Sequence, residues 1–309
     1  MEIGPFCNPL VPREKSFTKI NVDIENREAL QLIAKRKGKS EMTIASMEEV
    51  DIVGDASRLA ELVRSHGKVS ALNWIASSHN FEHLPNPLGF LQDCGELLTD
   101  DGVLMMVIPD QRFTIDRFHP HTSTVQILRA AEQPRNVTTD AWALFEQRSL
   151  TYHLSSTDSA PKLAWNSLIH SDQLLSSKIP LTKHHYRLKK LLKSEDFRFT
   201  GHRWHFTPSV FELLLFDLIQ LQLIRLQIVQ IYETSEYDFL VILKRGLSES
   251  LTEVAAAAQR LELCCRIENE RAAASGLCRE QALQLAEQKL EIERLRGNKN
   301  DPRSRGGTN

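Results

Sequence analysis

The chain has 309 residues, 41% apolar and 25% charged, with a formal net charge of −2. That profile fits a globular protein with one large α/β domain and an appendage, and it excludes disordered and fibrous chains. The near-neutral balance argues against a dedicated nucleic-acid binder, and no basic region followed by an apolar run marks a secretory leader.

The first 110 residues alternate short strand-like and helix-like pieces. Glu2-Ile3-Gly4 reads as a strand end entering a Gly/Pro/Asn turn, and Phe17 to Asp23 has β character ending in an acid. Glu25 to Lys37 is helical in composition and stops at Gly38. Val50 to Val53 is a short strand, and Ser57 to His66 a helix with Ser57 as N-cap and Gly67 as its stop. Val69 to Ala76 reads as a buried strand, Asn86 to Leu98 as a helix opened by Asn86-Pro87, and Val103 to Ile108 as a fifth strand ended by Pro109. Such alternation predicts right-handed βαβ crossovers and a parallel, Rossmann-like α/β sheet.

Residues 111–206 break the rhythm. They carry 14 of the 38 Lys/Arg, 8 of the 40 Asp/Glu and 8 of the 11 histidines, with joints such as Ser155 to Pro161. This stretch reads as a helical insertion over the open end of the sheet, on the substrate side. Within it, Lys183 to Lys190 reads as a solvated basic helix or as a holder of phosphate or sugar-nucleotide. His119/His121 and His202/His205 have spacings a metal could use, but no carboxylate or thiol nearby completes a set, so no metal site is expected. At Thr207-Pro208 a capped apolar helix begins and runs to about Leu221. Ile224 to Ile231 and Tyr237 to Lys244 follow as strands joined by a turn too short for a crossover, hence an antiparallel hairpin. The apolar run Val210 to Leu226 contains Glu212, Asp217 and Arg225, which excludes a membrane span.

The expected organisation is a domain over 1–246, a helical or coiled-coil-like tail over 247–297 and a disordered end over 298–309. Leu251, Val254, Ala258, Leu261 and Cys265 form a partial heptad seam, weakened by Glu268, Ala272 and Ser275 and interrupted by Gly276. The seam allows self-association through the tail. The five cysteines lack metal-site spacing and are expected as thiols in a cytoplasmic protein, with Cys264-Cys265 as helix packing.

Candidate chemistry clusters at the carboxyl ends of the predicted strands, where open α/β sheets bind ligands. Gly4 permits close backbone approach to a nucleotide-like cofactor, and Glu2 can meet a charged amino-acid tail. Asp23, 19 residues after Gly4, can accept both hydroxyls of a ribose or be a solvated strand-end acid. Asp55-Ala56 can receive an adenine amino group or simply start a helix. The run from Ser77 to Pro87 offers His79 and His83 as bases or as residues that fix the turn.

Taken together, Glu2-Ile3-Gly4-Pro5, Asp23, Asp55-Ala56, the Ser78-His79-Asn80-Phe81-Glu82-His83-Leu84-Pro85-Asn86-Pro87 block and Leu97-Leu98-Thr99-Asp100-Asp101-Gly102 resemble class I S-adenosylmethionine-dependent methyltransferases. Pro109-Asp110-Gln111-Arg112 is similar to a bacterial subgroup often associated with surface-glycan biosynthesis. The likeness covers residues 1–113 and 204–245, enters its first strand only at Met1-Glu2, as if truncated, and has Phe6-Cys7 where the family has a second glycine. It implies S-adenosyl-L-methionine as cofactor, with Glu2, Gly4 and Asn8 at the methionine end, Asp23 at the ribose, Asp55 and Ala56 at the adenine, and Ser77 and His79 at the mouth. The acceptor would be an oxygen or nitrogen nucleophile on a glycan or small molecule. The alternative is a non-catalytic methyltransferase-like scaffold that recruits a partner through its C-terminal helix. A nicotinamide-dependent dehydrogenase fits less well, because no G-x-G-x-x-G loop is present.

Overall fold

The computed structural model describes residues 1–13, 18–67, 71–133, 140–154, 174–176, 180–194, 201–248 and 251–274. Among them, seven strands form one sheet: β1 (Glu2–Ile3), β2 (Asn21–Asp23), β3 (Ile52–Val53), β4 (Leu72–Ser78), β5 (Leu98–Pro109), β8 (Leu226–Ile231) and β9 (Asp238–Arg245), in the order β3-β2-β1-β4-β5-β9-β8. The first five are parallel; β9 runs antiparallel to both β5 and β8. This Rossmann-like sheet closed by an antiparallel hairpin is the arrangement the family resemblance implies.

The helices between the strands form where local chemistry favours them. Asn26 caps α1 (Arg27–Arg36) by accepting from the Ala29 amide, and Asn86 caps α4 (Pro87–Leu97) with Pro87 in its first turn. Ser40 caps a short α2 (Glu41–Ala45), which the sequence reading missed. The helix expected from Ser57 opens differently. Asp55 accepts from the Ser57 amide and starts a 3-10 turn over Ala56–Arg58, which leads into α3 (Leu59–Ser65). A carboxylate two residues earlier thus takes the role assigned to Ser57.

The insertion contributes α5 (Thr124–Ala131), α6 (Ala141–Leu150), a small antiparallel pair of β6 (Tyr152–Leu154) and β7 (Leu174–Ser176), and α7 (Leu181–Leu191). In α7 only His184 and Leu188 are buried, so most of the basic helix faces solvent. Then α8 (Pro208–Gln220) starts at Thr207, whose side chain accepts from Val210. Phe211 at its first turn meets Phe81, Phe206 and Phe239, with ring centroids 5.2, 5.0 and 5.9 Å apart. This aromatic block underlies the 3-10 turn Phe81–His83 and joins it to the end of the insertion.

A further helix, α9, covers residues 253–274. Its expected seam faces outward: Val254 and Leu261 are exposed, as is Cys265. A different side packs on the domain, burying Leu263 and aiming Arg260 at Asp217 and Arg266 at Glu212. Burial of Leu263 and packing of Ile267 against the core hold that orientation, with the half-exposed ion pairs flanking them, and heptad spacing alone cannot report it. The tail's continuation to 296, the break at Gly276, the disordered end and the Ser155 to Pro161 joint lie outside the described residues. No helix among those described is long and apolar enough to cross a membrane.

Glu270 of α9 accepts from the Ser209 amide at 3.1 Å, the Ser209 hydroxyl at 2.6 Å and the Thr207 hydroxyl, placing a carboxylate on the N-terminus of α8. Glu270→Ala should therefore lower unfolding free energy by about 1–2 kcal/mol, read by chemical denaturation, with α9 more open to proteolysis.

Candidate functional site

Parallel pairing sets the site's geometry. The Gly4 amide donates to the Val22 carbonyl and the Gly54 amide to the Asp23 carbonyl, both at 2.8 Å, so the loops after β1, β2 and β3 leave the sheet at one level. They open, with the loop after β4, on a cavity of about 410 Å³. Gly4, Asp23, Asp55, Ala56, His79 and His83 line it together, as do Lys37, Asn80 and Arg203.

Gly4 has φ +65°, and a Cβ built there would meet no protein atom within 4 Å. The restriction is therefore conformational, and the space beside it belongs to the cavity. Phe6, where the family has a second glycine, takes φ +40°, a left-handed backbone that a non-glycine residue holds only under restraint. Its ring stacks under the Lys37 ammonium, 5.2 Å from the centroid.

Asp23 is buried. Its Oδ1 accepts from the Ile24 amide at 2.7 Å, while Oδ2 has no hydrogen-bond partner. Burial raises its pKa, against the pull of the Ile24 and Phe6 amides. A buried carboxylate oxygen left unpaired at a cavity wall is a ready acceptor for a ligand hydroxyl. Asp55 is committed on one side to the Ser57 amide and hydroxyl.

Three predicted residues do not line the cavity. The Glu2 carboxylate pairs with the buried Lys19 ammonium at 2.7 Å and accepts from the Leu10 and Val11 amides, at 2.6 and 3.3 Å. It braces the loop that carries Gly4. Asn8 is exposed and closes a turn onto Pro5, and Ser77 is buried within β4 while its neighbour Ser78 reaches the wall.

His79 lines the cavity and is held on both sides. Its backbone is left-handed at φ +47°, its Nε2 donates to Asp238 Oδ2 at 3.1 Å, and its Nδ1 lies 3.4 Å from Glu82 Oε1. The Asp238 carboxylate first, then that of Glu82, pushes its pKa up to about 10. The two carboxylates favour its imidazolium form, which suits the turn-fixing role open to it in the sequence better than that of a base. His83 is the opposite case. Burial lowers its pKa, and its Nδ1–H donates to the Gly201 carbonyl at 3.0 Å, leaving the Nε2 lone pair available for a proton or a cation.

Glu82 beside it is fully buried, and neither carboxylate oxygen has a hydrogen-bond partner. Burial raises its pKa, but the surrounding His79, His83 and His202 more than offset this and bring it below the usual value. His202 reaches in from the end of the insertion and donates from Nδ1 to buried Asp116 at 2.5 Å. Asp116 in turn lies among His119 and His205, whose rings stack at 4.1 Å. Carboxylates therefore do accompany these histidines, contrary to the spacing argument: Glu82 joins His83 and His202, and Asp116 joins His119 and His205. In each set two members are close in sequence, Glu82 with His83 and Asp116 with His119, and those pairs stood in plain view; the third member, His202 or His205, lies roughly 90–120 residues further along and is brought in only by folding.

A second cleft of about 870 Å³ meets the first along Pro85 and Arg203 and is lined by Arg129, Trp142, Phe145 and Trp204. Asp110, from the Pro109-Asp110-Gln111-Arg112 segment, is buried against Arg112 at 2.6 Å and pairs with Phe206 across the base of the insertion. That segment is thus a structural clasp.

No family model matches the chain, and no curated protein matches it in sequence. Three solved structures align with most of the chain at low identity. The PH0226 protein of Pyrococcus horikoshii OT3 is 14% identical over 79% of this chain and 80% of its own, with a TM-score of 0.35. The CcbJ methyltransferase of Streptomyces caelestis is 10% identical over 79% and 82%, with a TM-score of 0.37. A structure concerned with conversion of a disulfide bond into a thioacetal group during echinomycin biosynthesis is 11% identical over 84% and 80%, at 0.32. The fold assignment rests on the strand order itself.

Asp23→Asn should stabilise the unliganded protein by about 1 kcal/mol at neutral pH, because it removes a buried charge that lacks one partner. Since burial raises the native pKa above the unfolded one, this group's favourable contribution is present at low pH and lost as pH rises through the native value. Thermal unfolding should show the gap between variant and wild type widening from acid toward neutral pH.

Proposed function

We propose that the chain is an S-adenosyl-L-methionine-dependent methyltransferase. The observation that carries this reading is the convergence of Gly4, Asp23, Asp55 and Ala56 on one cavity at the carboxyl ends of the parallel strands. Its volume falls in the range of cofactor pockets. The unpaired Asp23 oxygen suits a ribose hydroxyl, Asp55-Ala56 suits the adenine, and the open space beside Gly4 suits the methionine end.

The acceptor would enter by the second cleft, whose tryptophans and arginine suit a polar ring-bearing molecule such as a glycan or another small molecule. The two cavities share Pro85 and Arg203, so donor and acceptor would meet beside His83. The sulfonium is already activated, and the protein's task is alignment and disposal of the acceptor's proton. The imidazolium of His79, clamped between Asp238 and Glu82, holds the turn in place.

The outward residues Val254 and Leu261 on α9 give the scaffold reading a surface, and the same side is where self-association would occur. A ligand response separates the two readings. S-adenosylhomocysteine at 100 times its dissociation constant should stabilise the wild type by about 2.7 kcal/mol. Asp23→Ala should remain folded and lose that response in calorimetric titration. Equal affinity in the variant, or no response in the wild type, contradicts the proposal.

A further inference from the structure

We infer that Glu82, His83 and His202 form a binding site for one first-row transition-metal dication, zinc or cobalt in character, at the junction of the two cavities. The inference adds to the methyl-transfer reading of the neighbouring cavity and rests on that reading only for what the cation would do.

The donor set is a carboxylate and two imidazoles, chemistry that favours such cations over magnesium or calcium. Glu82 Oε1 lies 3.7 Å from His83 Nε2 and 3.9 Å from His202 Nε2. These gaps are too long for hydrogen bonds. They are close to the spacing of roughly 3.4 Å expected between donor atoms that share one cation at bond lengths of about 2.0–2.2 Å. Glu82 is wholly buried; its charge faces His79 on one side, at 3.4 Å, while toward His83 and His202 neither oxygen meets a donor at hydrogen-bond distance.

The outer contacts point the same way. His83 Nδ1 is engaged by the Gly201 carbonyl and His202 Nδ1 by the Asp116 carboxylate, so each ring presents Nε2 to Glu82. Fixing the distal nitrogen in this manner is how metal-binding histidines are oriented. The Asp116, His119 and His205 group is less well suited. Its two rings stack with planes only 28° apart, and neither His119 nitrogen has a partner that would orient it.

Three protein ligands leave a coordination position for an acceptor hydroxyl. The bound oxygen would release its proton to solvent water and use its electron pair to form the new carbon–oxygen bond. The methyl–sulfur pair would return to sulfur, yielding S-adenosylhomocysteine. This assigns the His83 lone pair to the cation.

The test is titration of the full chain with Co²⁺, followed by visible absorption, and Zn²⁺ content by elemental analysis after dialysis, without any cofactor. One equivalent should bind to the wild type and to His119→Gln. His83→Gln and His202→Gln should each weaken binding at least about 100-fold; His83 is part-exposed, which guards against loss of fold in that variant. No binding to the wild type overturns the inference, as does loss confined to His119→Gln. S-adenosylhomocysteine affinity, measured on the same wild-type sample, reports on the methyl-transfer reading separately, so each can fail without the other.

Discussion

Two residues, Glu2 and Ile3, hydrogen bonded on one side to β2 and on the other to β4, fix the level at which the whole site is built. Parallel pairing does not slide: a shift of one residue would turn every side chain to the other face. With Ile3 level with Val22 and Ser77, and Val22 level with Ile52, the strands end together and their loops must share one opening. Glu2 reinforces this through Lys19, which also meets Glu48 at 2.6 Å, so the first loop is anchored by a buried charge network. Such a network needs all its members; loss of one leaves a buried charge unpaired.

The same arrangement explains how polar groups are tolerated beside the core. Phe81, Phe206, Phe211 and Phe239 form a rigid apolar base, and Glu82, His83 and His202 stand at its rim. A backbone bond from the Arg203 amide to the Glu82 carbonyl, and a side-chain bond from the Trp204 indole to the Leu84 carbonyl, bind the insertion to the loop after β4. The insertion is thereby part of the wall, and the two cavities share Pro85 from the loop after β4 and Arg203 from the insertion.

Much of the frame was legible in the sequence because the signals are local. Asn86-Pro87 and Thr207-Pro208 mark helix starts by capping chemistry, and the short turn before Asp238 forces an antiparallel hairpin. Gly4, Asp23 and Asp55 could be placed because strand ends in a parallel sheet lie on one edge. What sequence could not give was anything set by distant partners. The charge of His79 depends on Asp238, 159 positions away, and His202 meets Glu82 and Asp116 only through folding. The Glu2–Lys19 pair offered no pattern to read, and which side of α9 docks on the domain is set by Leu263 and by Asp217 and Glu212, partners outside the helix.

The proposed methyl transfer requires an adenosyl ligand lying across the carboxyl ends of β1, β2 and β3. A crystal structure of the protein with S-adenosylhomocysteine tests this most directly. In it the ribose hydroxyls should lie within hydrogen-bond distance of Asp23, the adenine against Asp55 and Ala56, and the amino-acid end beside Gly4. A ligand bound elsewhere, or a crevice closed by its own side chains with the ligand excluded, would contradict it.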